Sequence, residues 1–343
     1  MRLPGAALNK FFRILFFSVA FGCDWLYCLI HIIYHLFISV MHALTRRKFL
    51  QQSGAALAGT LLAPALLQAT SKTALITGIQ LYSVRDDMKA DPAGTLKKLA
   101  AMGYRYVEHA NYVDQKFYGY TAKDFKSLLD GMGLKMPSGH TVMGKPHWDA
   151  STGQITDVWK KTVEDAATAG QQFVISPWID DAYRKDYDGL ARFMDAFNKS
   201  GELCKQAGMR FGYHNHNWEF DTRLNNTPIY DLILKMTDPS LVVQQLDIGN
   251  MYGGGGRALD VMKKYPGRFL SLHVKDEIKS SANSEGYESC VLGKGIINTK
   301  QILDLARKQG ATVHYIIEQE SYQGMQPIQS AREDLAIMKK WGY

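Results

Sequence analysis

Four stretches of this chain each close an apolar run with a side chain able to bind a metal ion or carry a proton. Phe211-Gly-Tyr-His-Asn-His216 sets His214 and His216 two residues apart, Asp247 ends Val242-Val-Gln-Gln-Leu-Asp, His273 ends Phe269-Leu-Ser-Leu-His, and Glu318 ends His314-Tyr-Ile-Ile-Glu. Any one of these alone reads as a solvated polar residue at the end of a strand. Their recurrence on four consecutive segments is what carries weight, because burying imidazoles and carboxylates together without a cation or partners is costly. His214, Asp247, His273 and Glu318 are therefore expected to hold one divalent metal ion. Two nitrogen and two carboxylate donors suit Mn, Fe, Co or Zn better than Ca, and also admit Mg.

A second layer is expected from earlier in the chain. Gln80, Tyr82, Glu108, His109, His140 and Trp178 offer amide, carboxylate and imidazole groups for hydroxyls and two flat aromatic faces, the makings of a polyol pocket. Lys275 and Asp276 follow His273 directly and are expected to overhang the same mouth. Gly253 to Gly256 and Gly293-Lys-Gly295 read equally well as hinges, anion cradles or plain turns, and no phosphate site is inferred from them. No Gly-x-Ser-x-Gly elbow, Walker loop or strand-borne G-x-G-x-x-G is present.

The elements that must position these groups follow from periodicity. From Thr70 onward, short β-branched or aromatic runs alternate with amphipathic stretches of helical length. Strands are expected at Gly78–Ser83, Tyr104–Glu108, Lys135–His140, Phe173–Pro177, Arg210–His216, Val242–Asp247, Phe269–Val274 and Val313–Glu318. Helices are expected at Pro92–Met102, Thr121–Met132, Thr156–Ala169, Asp188–Ala207, Ile229–Met236, Ala258–Tyr265, Thr299–Gln309 and Ile328–Trp341, several stopped by glycine. Eight βα units in this length predict an α/β fold of the (β/α)8 TIM-barrel type, with a doubly wound open sheet as the runner-up. In such a barrel the chemistry sits at the C-terminal ends of the strands, where the four residues named first lie.

The chain has 343 residues and a formal charge of +7. Residues 1–69 hold six basic residues against the single acid Asp24, which leaves the remainder at +2. A basic nucleic-acid face is therefore not indicated. Thr45-Arg-Arg-Lys-Phe-Leu50, followed by an Ala/Gly-rich apolar run to Ala69, has the layout of a twin-arginine signal peptide over 45–69. Export to the periplasm through the Tat machinery is expected, with 70–343 as a single catalytic domain. Phe11–Val40 is apolar but interrupted by Arg13, Asp24, His31 and His35; residues 1–44 are read as an over-extended start upstream of Met41, or else as a membrane segment. Outside the leader only Cys204 and Cys290 remain, without metal-ligand spacing.

Gly78-Ile-Gln-Leu-Tyr-Ser-Val-Arg85, Gly103-Tyr-Arg-Tyr-Val-Glu108, Tyr213-His-Asn-His216, Leu246-Asp-Ile-Gly-Asn250, Leu272-His-Val-Lys-Asp276 and Ile317-Glu318 together resemble the xylose-isomerase-like TIM-barrel superfamily, in its exported sugar phosphate isomerase/epimerase branch. The resemblance spans nearly all of residues 76–342. It implies a metal held from strands five to eight, with Asp247, His273 and Glu318 as ligands. It also implies proton transfer beside a carbonyl or hydroxyl of a sugar-like substrate. Ketose 3-epimerases of this superfamily carry a Glu where His214 stands, which puts their two-carboxylate mechanism in doubt here, and often a substrate-binding His where Asn250 stands. Glu318 is the favoured base, with Glu108, Glu219 or His216 as partner and Lys275 stabilising an enediolate. The expected activity is isomerisation or epimerisation of a free sugar, keto-sugar or oxidised glycoside. Lyase or hydratase chemistry on the same intermediate is the alternative, and a non-catalytic sugar-binding barrel a further one. The endonuclease branch of the same barrel is disfavoured, because Lys275-Asp-Glu-Ile-Lys replaces an Asp-x-His pair and the exported part is near neutral. The superfamily's frequent dimers and tetramers make a homo-oligomer an expectation.

Overall fold

The computed structural model describes residues 75–282 and 285–343. The signal peptide expected over 45–69 and the extended start or membrane segment over 1–44 lie outside the described residues. Eight strands close a barrel: β1 (Ile76–Gln80), β2 (Tyr106–His109), β3 (Lys135–His140), β4 (Phe173–Ser176), β5 (Arg210–His214), β6 (Val242–Asp247), β7 (Phe269–Val274) and β8 (His314–Ile317). Every neighbouring pair is parallel, and β1 closes on β8 through Ile76 opposite His314. Helices α1 (Pro92–Met102), α2 (Ala122–Gly131), α3 (Asp157–Ala169), α4 (Tyr187–Gln206), α5 (Ile229–Met236), α6 (Ala258–Lys264), α7 (Thr299–Gln309) and α8 (Pro327–Trp341) follow the strands in turn. The open-sheet alternative is excluded by the closed strand order.

Local chemistry explains the boundaries. Asp91 caps α1 by accepting from the Gly94 amide, and α1, α3 and α7 end at Gly103, Gly170 and Gly310 in the left-handed conformation that glycine adopts without strain. The apolar stripe of α4, with Leu190, Phe193, Met194 and Phe197 buried, packs with Phe211 and Tyr213 of β5. Each such side chain contributes about 1.5–3 kcal/mol by leaving water. Within the barrel, Phe173, Ile175 and Val243 form a small apolar cluster, and toward the C-terminal rim the inward residues become polar.

Five expected strands are shorter or shifted, two of them only at their ends: the fourth stops at Ser176 and the eighth runs His314–Ile317. The first ends at Gln80, because the Gln80 side chain accepts from the Tyr82 amide and starts a 3-10 turn over Leu81–Val84, so Tyr82 lies on a loop. The second begins at Tyr106; the Tyr104 amide instead closes the end of α1 on Leu99. The fifth ends at His214, because the His216 amide donates to the Glu219 carboxylate rather than to a neighbouring strand. A register shift between β6 and β7 sets Ser271 opposite Gln245 and His273 opposite Asp247. Irregularities of this kind re-aim side chains beside functional sites.

Candidate metal centre and active-site mouth

His214, Asp247, His273 and Glu318 each present a donor atom, and these atoms lie within 4.8 Å of one another at the C-terminal ends of β5 to β8. All four residues are buried. Asp247 caps the short helix Ile248–Gly253, with Oδ1 accepting from the amides of Gly249 and Asn250 at 2.8 and 2.7 Å. That fixes the carboxylate and leaves Oδ2 buried without a hydrogen-bond partner, 3.8 Å from His273 Nδ1. A buried carboxylate oxygen without a hydrogen-bond partner, facing two imidazoles and a second carboxylate with the Lys275 ammonium 3.4 Å away, belongs to a donor set that fits a divalent cation.

The outer nitrogens of both imidazoles are engaged. Glu108 of β2 is fully buried below the cluster and accepts from Gln80 Nε2 at 2.9 Å, Gln245 Nε2 at 2.9 Å, Ser138 Oγ and His273 Nε2 at 2.6 Å. Burial works against its charge, but His140, His273 and these hydrogen bonds outweigh burial and hold the carboxyl down at about 2. A carboxylate can only accept, so His273 Nε2 carries the proton and Nδ1 faces the cluster, 2.9 Å from Glu318 Oε2. Burial likewise opposes charge on His273, yet Glu318 and Glu108 push its pKa well above the ordinary value. Gln245 Oε1 lies 3.1 Å from His214 Nδ1 and 2.7 Å from His140 Nε2, while its amide donates to Glu108 and to Ser271 Oγ at 3.0 Å. Both imidazoles therefore donate to Gln245, which leaves Nε2 of His214 for the cluster.

Lys275 is the cation of the mouth. Its fully buried ammonium lies 3.4 Å from Asp247 Oδ2, 3.3 Å from Glu318 Oε2 and 3.0 Å from Glu320 Oε2, and donates to Asn250 Oδ1 at 3.1 Å. Burial disfavours the charge, but Asp247, Glu320 and Glu318 more than restore it, and the pKa stands well above a free lysine's. Gly249 makes the room: a Cβ there would fall 2.5 Å from Lys275 Cδ.

The remaining expected site residues divide. His140 stands at the rim, stacked on His273 with centroids 5.0 Å apart, and His216 lies 5.1 Å from His214 with Nδ1 buried and unpartnered. Trp178 and Tyr82 are exposed on flanking loops, with Arg184 stacked on Trp178 and Arg85 on Tyr82. Gln80 is buried with both ends of its amide engaged, below the mouth rather than in it.

Three expectations fail. His109 points away from the mouth, edge-on to Phe117 and above Gly139, where a Cβ would be 1.8 Å from its ring. The Glu219 carboxylate faces Tyr213 on the helix side of β5, with burial pushing it up to about 7. Asp276 does not overhang the mouth: it accepts from the backbone amides of Glu277, Gly293, Gly295 and Ile297. The Gly293–Gly295 turn is thus an anion cradle filled by the chain's own aspartate.

Sequence reasoning passed over Gln245, Asn215 and Glu320. Gln245 had a signal, as a polar residue two before Asp247 and hence on the same strand face. Asn215 ties β5 to β6 by reciprocal bonds with the Asp247 backbone, and nothing local marks it.

A family model described as Xylose isomerase-like TIM barrel matches residues 96–341. An inosose dehydratase of Clostridium perfringens is 33% identical over 101 residues, which is 29% of this chain and 33% of the relative, so the match spans about a third of that enzyme's length. A sugar phosphate isomerase/epimerase crystal structure from Parabacteroides distasonis superposes with a TM-score of 0.66 at 26% identity, covering 79% of this chain and 95% of the other. The IolI protein, solved with a bound zinc atom, shares the fold at a TM-score of 0.60 and 13% identity, covering 78% of this chain and 99% of its own.

Proposed function

The chain belongs to the xylose isomerase-like TIM barrel family, and on that premise we propose that it is a metal-dependent enzyme that isomerises or epimerises a sugar-like substrate by moving a proton beside its carbonyl. His214, Asp247, His273 and Glu318 would hold the ion, with manganese, iron, cobalt or zinc as the best match to the donors. When bound, the ion supplies Lewis acidity that polarises the substrate's oxygens.

Glu318 takes the proton, since it is the carboxylate of the cluster not pinned by backbone amides. Lys275, its charge favoured by the surrounding carboxylates, stabilises the enediolate oxygen that develops. Glu108 and Gln245 act through the imidazoles as positioning residues, because Glu108 has all its near contacts inside the barrel. His140, Asn250 and Trp178 bind hydroxyls or a ring face at the rim. The observation that carries this reading is the convergence of four buried donors on one point, among them an Asp247 oxygen that takes no hydrogen bond.

A second reading, elimination of water from a keto-sugar or keto-polyol, starts from the same proton abstraction. It is favoured by the likeness to inosose dehydratases, and by the placement of Glu219 and Glu108 away from the mouth, which takes both out of the role of second carboxylate base in a two-base epimerase mechanism.

Proton exchange tests both. The metal-loaded protein in D2O should incorporate deuterium at the carbon beside the carbonyl of a keto-sugar, and chelation should stop it. A panel of keto-sugars and keto-polyols showing no exchange, no isomer and no dehydration product would overturn the reading. We also propose that the protein is exported by the twin-arginine route: Arg46→Lys with Arg47→Lys should leave it in the cytosol, and undiminished export would refute this.

A further inference from the structure

The rim of the barrel between the loops after β2 and β3 holds a cavity of about 410 Å³. His140 lines it and also stacks on His273, so one imidazole forms the wall between this cavity and the metal cluster. Val113, Val142 and Val158 line it too, at 59, 47 and 47% exposure, and they are three of the few large hydrophobic side chains left open to water among the described residues. They come from three separate places: the hairpin Tyr112–Val113 with Lys116–Phe117, the segment after β3, and the first turn of α3. Isolated exposed valines need no explanation, but three converging on one concavity beside a catalytic cluster describe a binding surface.

The chemistry of the walls limits the occupant. Asp114 is the one charged lining residue, and no lysine or arginine is present, so a phosphate or carboxylate would find no counter-charge there. Nor is the cavity needed by a lone sugar ring at the metal cluster, since it lies on the far side of His140. It is in the size range of ligand sites, and its walls are mixed: Ala110 and the three valines are apolar, while Asn111, Gln115, His147 and the hydroxyls of Thr141 and Thr162 offer hydrogen bonds.

Resting on the proposed function, we infer that the substrate is a glycoside whose sugar ring meets the metal cluster and whose apolar aglycone fills this cavity. The family's metal cluster alone does not select such a substrate; the three valines of this chain do.

Two probes, methyl and phenyl 3-keto-β-glucoside, test the assignment on the metal-loaded full chain. Calorimetry should show the phenyl compound binding at least about tenfold tighter, as expected for burying a ring's apolar surface. Val142→Asp and Val113→Asp, both at exposed positions that tolerate a charge, should each bring the ratio of the two dissociation constants to within about threefold. Equal affinities in the wild type, an unchanged ratio in both variants, or no binding of either compound would overturn the inference. Deuterium incorporation, read in the same samples, separates it from the proposed function. An intact affinity ratio without exchange removes the reaction and leaves the cavity's role, whereas exchange with equal affinities removes only the cavity's role.

Discussion

Nε2 of His273 lies 2.6 Å from Oε1 of Glu108, a residue 165 positions away in sequence and wholly enclosed by the barrel. Because Glu108 is held ionised at about 2, the imidazole must donate there, and its other nitrogen is turned to the cluster. At the proposed metal centre, Glu108 would therefore set metal affinity through His273 rather than by contact with substrate.

Glu108→Gln should weaken metal binding by about 10–100-fold, the usual cost of losing the partner of a ligating histidine. Part of that loss comes from the new amide facing the donor of Gln245. Metal titration measures it directly, and excess metal should recover most of the turnover. Unaltered metal affinity would refute the positioning role.

Asp247→Ala and His273→Ala should each abolish stoichiometric metal retention. They should also lower the melting temperature of the metal-loaded protein, because a ligand bound only by the folded state stabilises it. Elemental analysis after gel filtration decides the matter; a full complement of metal in both variants contradicts the ligand set.

Glu318→Gln keeps size and shape but removes the base. Turnover should fall by at least about 100-fold, with a smaller change in substrate affinity measured on metal-saturated protein. Turnover within threefold of wild type would remove Glu318 from the proton step.

Asp334 of α8 accepts from the Leu292 amide, and burial pushes its carboxyl up to about 7. The folded state thus holds this proton more tightly than the unfolded chain does. The stability this contributes is present below the unfolded pKa of about 4 and is lost as pH rises toward 7. Asp334→Asn stays neutral at every pH, so it should lie close to wild type at pH 4 and become the more stable of the two by pH 8 in urea melts. A difference independent of pH would contradict the raised pKa.

Much of this protein is decided by sequence alone. Alternating βα periodicity set the eightfold count, glycines such as Gly103 and Gly310 set helix ends, and strand parity placed Asp247, His273 and Glu318 at one mouth, because each signal is local and repeats with a fixed period. What needed the tertiary structure was the destination of each side chain beyond its own strand. Glu108 and Glu219 are the same residue type near strand ends, yet one lies in the barrel beneath the candidate metal centre and the other faces the helix layer. Gln245 becomes the hub of two imidazoles only because β6 pairs with β5, which carries His214, and shares the barrel interior with β3, which carries His140, while the shifted register between β6 and β7 brings His273 level with Asp247. Those outcomes depend on contacts between residues as far as 165 positions apart, and on hydrogen bonds that must all be satisfied at once in a space without water.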